Sequence, residues 1–171
     1  MKFLDLDVKI DKPYPEITKA QEDLATVAIL KNLANGRVGE TGASMTYVYQ
    51  SVIADKTNEE IAEIFEEIGV VEMMHLDMLM HAMTIFGGVP KYEDAQGNYF
   101  NAASLNYTMK LREMLDNNIK GETMAIENYR MAIARVSNAS LKALFERIIE
   151  DEMRHIEIFK TIRDRVEFMS V

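Results

Sequence analysis

Two stretches of this sequence read alike: Glu72-Met73-Met74-His75-Leu76-Asp77 and Glu152-Met153-Arg154-His155-Ile156-Glu157. Glu and His three residues apart lie on one face of a helix, so both side chains can reach the same ion. Each pair interrupts an apolar stripe, Glu72 and His75 between Ile68 and Leu79, Glu152 and His155 between Ile148 and Phe159. All four groups are therefore expected to point inward, where unpaired charge is expensive.

Upstream of each pair stands a second match. Gly39-Glu40-Thr41-Gly42-Ala43-Ser44-Met45-Thr46-Tyr47 agrees with Gly121-Glu122-Thr123-Met124-Ala125-Ile126-Glu127-Asn128-Tyr129 at Gly, Glu, Thr, Ala and Tyr. Glu40 shares a helical face with Leu33 and Tyr47, and Glu122 with Leu115 and Tyr129. In a tight antiparallel hairpin, residues at one height are equidistant from the turn. The midpoint between Glu40 and the Glu72/His75 pair falls near residue 57, and that between Glu122 and Glu152/His155 near residue 138. Both coincide with turn signals, Thr57-Asn58 and Ser137-Asn138. Each half thus reads as a helical hairpin presenting one Glu opposite one Glu-x-x-His, and the two suggest a pseudo-two-fold axis.

The rest of the chain fits this frame. An N-terminal arm over residues 1–16 precedes a bundle over 17–168. The first helix is expected from about Ile17 to Ala54, with a bend or break at Asn35-Gly36, since Gly is costly inside a helix. Thr57-Asn58-Glu59-Glu60 has the form of a capping box opening the second helix. That helix carries Ile61, Ile64, Phe65, Ile68, Leu79, Met83 and Phe86 on one stripe and stops at Gly87-Gly88-Val89-Pro90. A loop to about Asn106 leads to a third helix marked by Leu111, Leu115, Ile119, Ile126, Ile133 and Val136. The fourth carries Leu141, Phe145, Ile148, Phe159, Ile162 and Val166. No segment alternates with period two, so the expected class is all-α.

Composition narrows the chemistry. The 171 residues suffice for one domain with a sizeable core. A net charge of −9 argues against nucleic acid as partner. No uninterrupted apolar run approaches the ~20 residues of a membrane span. Met1-Lys2-Phe3-Leu4-Asp5-Leu6-Asp7 carries acids where a signal peptide has a basic head, so a cytoplasmic protein is expected. There is no cysteine, hence no disulfide, thiolate zinc site or cysteine-ligated cluster.

Four buried carboxylates repel one another: two like charges ~4 Å apart cost about 4 kcal/mol at an effective dielectric of 20. Two divalent ions would cancel them. Oxygen-rich ligation with one imidazole per ion suits iron or manganese better than zinc. Glu40, Glu72, His75, Glu122, Glu152 and His155 are the expected ligands.

With these motifs the chain resembles the ferritin-like superfamily of di-metal carboxylate proteins, whose signature is a Glu and a Glu-x-x-His on each of two helix pairs. The likeness covers roughly residues 20–168. Gly39–Gln50 and Ile68–Met78 look most like manganese catalases, including spore-coat types. Asp151-Glu152-Met153-Arg154-His155 is closer to bacterioferritins and di-iron oxygenases. The resemblance implies a four-helix bundle with a long crossover between helices 2 and 3. It also leaves two roles open for Glu152, a ligand by internal symmetry or an acid/base as in manganese catalases. Rubrerythrins carry a cysteine-bound iron domain that this chain lacks, so peroxidase activity would need an external electron donor protein.

Asp151, by the same resemblance, is expected to orient His75 across the bundle; its counterpart in the first half is Val71. Tyr47 and Tyr129 stand two turns after Glu40 and Glu122, placed either to hydrogen-bond those carboxylates or to pack in the core. Met73 lies where bacterioferritins place a haem-ligating methionine, but thirteen methionines read as flexible core filling, and haem is not expected. His81 falls off the metal face and is read as structural. The expected function is di-iron or di-manganese redox catalysis on hydrogen peroxide or dioxygen, as a catalase or peroxidase, in a homo-oligomer. The alternative is a ferroxidase or iron-storage protein.

Overall fold

The computed structural model describes residues 7–18 and 20–169. The first six residues, to which most of the expected acidic start belongs, lie outside the described residues. The helices are α1 (Leu24–Asn35), α2 (Glu40–Ala54), α3 (Glu59–Ile85), α4 (Leu111–Arg135) and α5 (Ala139–Met169). They build four rods, with α1 and α2 together forming the first. Hairpins α2–α3 and α4–α5 turn at residues 55–58 and 136–138, at the midpoints between the paired Glu and Glu-x-x-His positions. The architecture is the all-α bundle with a long crossover between its second and third rods.

The first rod departs from expectation at both ends of α1. It begins at Leu24 rather than about Ile17, because the preceding segment is drawn onto α5: the Thr18 amide donates to Ser140 Oγ at 3.0 Å. Asp23 caps α1, its Oδ1 accepting from the Ala25 and Thr26 amides at 3.0 and 3.2 Å. At the other end the rod breaks outright. A Cβ on Gly36 would lie 2.4 Å from the Asn32 carbonyl oxygen, and one on Gly39 2.7 Å from that of Leu33. No side chain fits there. The break makes Glu40 the first residue of α2, at the partially positive end of the helix.

The expected capping box is also corrected. Asn58, not Thr57, caps α3, accepting from the Ile61 amide at 3.1 Å. The Thr57 hydroxyl is turned back to the Ala54 carbonyl. In the second hairpin Asn138 does the same work for α5, accepting from the Leu141 amide at 2.9 Å.

Packing follows the stripes read from the sequence. Ile61, Ile68, Leu79, Leu115, Phe145 and Phe159 are completely buried. A side chain of this size contributes about 1.5–3 kcal/mol when removed from water. The apolar core is not continuous. One cluster centres on Leu30, Met83, Tyr129 and Phe145, the other on Phe65, Ile68, Leu115 and Phe159. A polar layer lies between them. By length and composition α3 could cross a membrane, yet its apolar stripe is buried in the bundle and carries two members of that layer.

The crossover, residues 86–110, leaves α3 through Gly87 at φ 84° and lies along the first rod. Lys31 pairs with Glu93 at 2.5 Å, and the Asn35 side-chain amide donates to the carbonyls of Lys91 and Glu93. Tyr49 donates to the Tyr107 carbonyl at 2.9 Å. Among the described residues the nearest thing to a strand is one bridge, Glu93 to Tyr99.

Candidate metal centre

The polar layer is made of the six residues the spacing singled out. Glu72, His75, Glu152 and His155 are fully buried, and Glu40 and Glu122 are 4% and 3% exposed. α3 and α5 supply the Glu/His pairs from consecutive turns, α2 and α4 one Glu each. Their ligand atoms fall into two groups, each within 4.8 Å: Glu40, Glu72, His75 and Glu152, and Glu72, Glu122, Glu152 and His155. Glu72 and Glu152 belong to both. That overlap was not legible in the sequence, which gave the donors but not which of them are shared.

Both imidazoles aim Nδ1 at the carboxylates. His75 Nδ1 lies 3.3 Å from Glu72 and from Glu152, and 3.9 Å from Glu40. His155 Nδ1 lies 2.9 Å from Glu72, 3.1 Å from Glu152 and 3.9 Å from Glu122. The tyrosines reach across the bundle rather than packing idly. Tyr47 of the first hairpin donates to Glu122 of the second, and Tyr129 of the second to Glu40 of the first.

Burial pushes Glu40 and Glu122 well above the usual carboxylate range, and the charges of Glu72 and Glu152 push the same way. Burial acts on Glu72 likewise but is outweighed by His155 and His75, which hold it well below that range. On the imidazoles burial alone works downward. The surrounding carboxylates overcome it, raising His75 well above its ordinary value and His155 to about 10. Burial, reinforced by nearby carboxylates, raises Tyr47 and Tyr129 far above 10, so both stay hydroxyl donors. The shifts of Glu40, Glu122, His75 and His155 all favour protons on the cluster. Two buried oxygens, Glu72 Oε1 and Glu152 Oε1, make no well-directed hydrogen bond and have the imidazole nitrogens of His155 and His75 beside them, at 2.9 and 3.3 Å. A hard-donor set of four carboxylates and two imidazoles with such oxygens fits a pair of divalent ions.

Asp151 stands where it was expected, its Oδ2 3.2 Å from His75 Nε2. It is held in turn by residues the sequence reading missed. Tyr14 of the arm donates to Oδ2 at 2.6 Å, and the Ile10 amide to Oδ1 at 2.8 Å. Arg147, one helical turn before Asp151, pairs with it at 2.8 Å and lies 4.5 Å over the Tyr14 ring. Burial would raise the Asp151 carboxyl. The bonds from His75, Tyr14, Ile10 and Arg147 together hold it well below its ordinary value. The i,i+4 spacing of Arg147 and Asp151 was visible beforehand; Tyr14, in an arm without periodicity, gave no signal.

His155 has no such support: its Nε2 is buried without a hydrogen-bond partner. Of the remaining candidates, His81 is on the outer surface, paired with Asp77 at 3.6 Å. Met73 is half-exposed on the outer face of α3, beside Val70, Met74 and Asp77. It is not core filling.

Comparison with known proteins agrees with this fold. The family model described as Rubrerythrin matches residues 31–163. No curated protein matches the chain. Among solved structures, KatB, a manganese catalase from Anabaena, is similar at 22% identity with a TM-score of 0.81, covering 92% of this chain and 80% of that one. A second structure of KatB gives 21% and 0.80. Rhodobacter capsulatus bacterioferritin, in a structure with a metal-free dinuclear site and haem iron, is similar at 22% identity with a TM-score of 0.70, covering 86% of this chain and 89% of that one. At these identities the likeness is one of fold.

Proposed function

The chain belongs to the rubrerythrin family, and from that premise we propose that it is a di-metal oxidoreductase acting on hydrogen peroxide or dioxygen. The observation that carries this reading is the pair of overlapping donor groups sharing Glu72 and Glu152. Each group places three carboxylates and one imidazole around its own position, and the two positions are adjacent. Glu40 with His75 would hold one ion, Glu122 with His155 the other, and Glu72 with Glu152 both.

Iron or manganese bound there supplies two-electron redox chemistry, the number needed to reduce peroxide to water. The protein's own part is positioning and proton supply. Tyr47 and Tyr129 each fix one oxygen, of Glu122 and of Glu40 respectively, and so hold both carboxylates in place. Asp151 holds His75 with Nδ1 inward. Glu152, buried with His75 Nδ1 3.3 Å and His155 Nδ1 3.1 Å away, is placed either to ligate or to serve as the acid/base beside the ions. The apolar clusters above and below close the centre along the bundle axis.

A catalase returns to its starting state with a second peroxide. A peroxidase would draw its electrons from a donor, and these 171 residues hold no cysteine for an iron relay. The decisive experiment is elemental analysis of the natively purified protein with oxygen release measured on the same sample. Bound manganese with vigorous oxygen evolution selects catalase; bound iron without it selects peroxidase or the ferroxidase alternative. A hollow assembly many subunits large would favour storage. A protein that takes up neither metal would end the proposal.

A further inference from the structure

The centre is covered unequally on its two sides. Over α3 and α5, the arm lays Tyr14 against Asp151 and His75. Between α2 and α4, a cavity of about 290 Å³ reaches from the surface to Glu40, Glu72 and Glu122. Its inner wall includes a buried amide pair, Gln50 and Asn118, bonded reciprocally at 2.9 and 2.7 Å. The crossover contributes Phe100 and Leu105 to the outer wall.

Four of the chain's eight glycines line this cavity: Gly36, Gly39, Gly42 and Gly121. Backbone contacts dictate the first two, as described above. Gly121 has no such reason. It sits inside α4, its φ is not positive, and a Cβ there would meet nothing within 4 Å. Glycine inside a helix weakens it relative to alanine. A destabilising residue with space around it, one position before a buried Glu and on the wall of a cavity leading to that Glu, points to a requirement for the space itself.

Charge at the mouth gives a second, independent indication. The cavity's exposed lining carries Arg37 and Lys120 and no acid, in a chain of net charge −9. Neither cation forms an ion pair among the described residues. Such a mouth repels a divalent metal ion and admits neutral or anionic molecules.

We propose that the cavity between α2 and α4 is the route by which small neutral or anionic oxidants reach the centre, with Gly121 setting its aperture and Arg37 and Lys120 its charge. This rests on the oxidant-processing reading and sharpens it. A storage protein must pass metal cations through its entry, and this entry is built against them.

Azide, a small anion that ligates iron or manganese, is the probe. Its association with metal-loaded protein is followed by rapid-mixing spectroscopy, with metal content measured on each variant. Gly121→Leu should retain both metals and bind azide at least about tenfold more slowly, since the side chain has only the cavity to fill. Gly121→Ala should melt at a higher temperature than the unchanged protein and slow azide less. Arg37→Glu with Lys120→Glu should slow azide by about tenfold at low salt, the difference shrinking as salt is added. A loaded Gly121→Leu protein that binds azide at the unchanged rate overturns the route while leaving the di-metal reading intact. If Gly121→Leu does not load, the charge reversal decides: no change at low salt overturns the proposal. A protein that loads no metal before any substitution overturns both readings together.

Discussion

Hairpin α2–α3 and hairpin α4–α5 carry the same donors at the same heights, yet they hold their histidines differently. His75 of the first has Asp151 at Nε2, backed by Tyr14 and Arg147. His155 of the second has Nε2 buried and bare. The residue related to Asp151 is Val71, only 3% exposed, and the one related to Arg147 is Glu67. A repeat can therefore preserve what touches the ions while the support behind them diverges. One position is braced by a carboxylate and the other by packing alone.

The largest effects should come from the shared carboxylates, where the halves are alike. Glu72→Gln and Glu152→Gln should each abolish stable binding of both ions, whereas Glu40→Gln or Glu122→Gln should leave about one ion per chain, a pattern read by metal titration. Equal losses from all four would break the assignment of Glu72 and Glu152 to both groups.

Next comes the attempt to make the halves match. Val71→Asp should destabilise the protein by about 3–5 kcal/mol in denaturant unfolding, because it buries a charge with Glu67 where an arginine would be needed. Adding Glu67→Arg should recover part of that loss. If Val71→Asp alone is harmless, the asymmetry has another cause than the missing brace.

Removing the existing brace tests the same difference from the other side. Asp151→Asn should weaken one of the two metal-binding steps by about 10–100-fold and leave the second nearly unchanged, measured by calorimetry.

Acidity probes both halves at once. In the metal-free protein Glu40, Glu122, His75 and His155 keep protons well above their ordinary values of 4.5 and 6.5. The unfolded chain releases those protons earlier, so the folded form binds more of them and its stability falls as pH rises from about 6.5 toward about 10, the value to which His155 is raised. Metal displaces the protons, so metal affinity should rise over the same window, with proton release on binding. Thermal melts of metal-free protein that are flat or rising across that range would contradict the charge balance described here.

The smallest effects belong to the turns, where the halves agree again. Asn58→Ala and Asn138→Ala should each cost about 1 kcal/mol, similar to one another, as lost helix caps do.

The sequence spoke clearly wherever a constraint repeats along a helix. Ile68 and Leu79 around Glu72, or Ile148 and Phe159 around Glu152, reveal the buried face because helical geometry ties spacing to direction. The turns at Asn58 and Asn138 were legible for the same reason. The arm was not. Tyr14 meets Asp151 across 137 positions of chain, and nothing local in either residue encodes that meeting. The crosswise partners of Tyr47 and Tyr129 were half visible: their face could be read, but only the assembled bundle sends each hydroxyl to the opposite hairpin. The break before α2 was signalled by Asn35-Gly36, yet its extent to Gly39 depends on how closely the backbone doubles back on Leu33 and Ala34.

Those crossed tyrosine bonds have a consequence for the chain as a whole. Each hairpin on its own would carry a buried glutamate whose donor belongs to the other, and half of a donor set with nothing to close it. Severing the crossover should therefore yield two pieces that rejoin as a pair instead of two small independent metal carriers. Conversely, two identical copies of such a hairpin could exchange tyrosines in the same manner, so a doubled gene and a self-pairing peptide are alternative ways of building the same chamber.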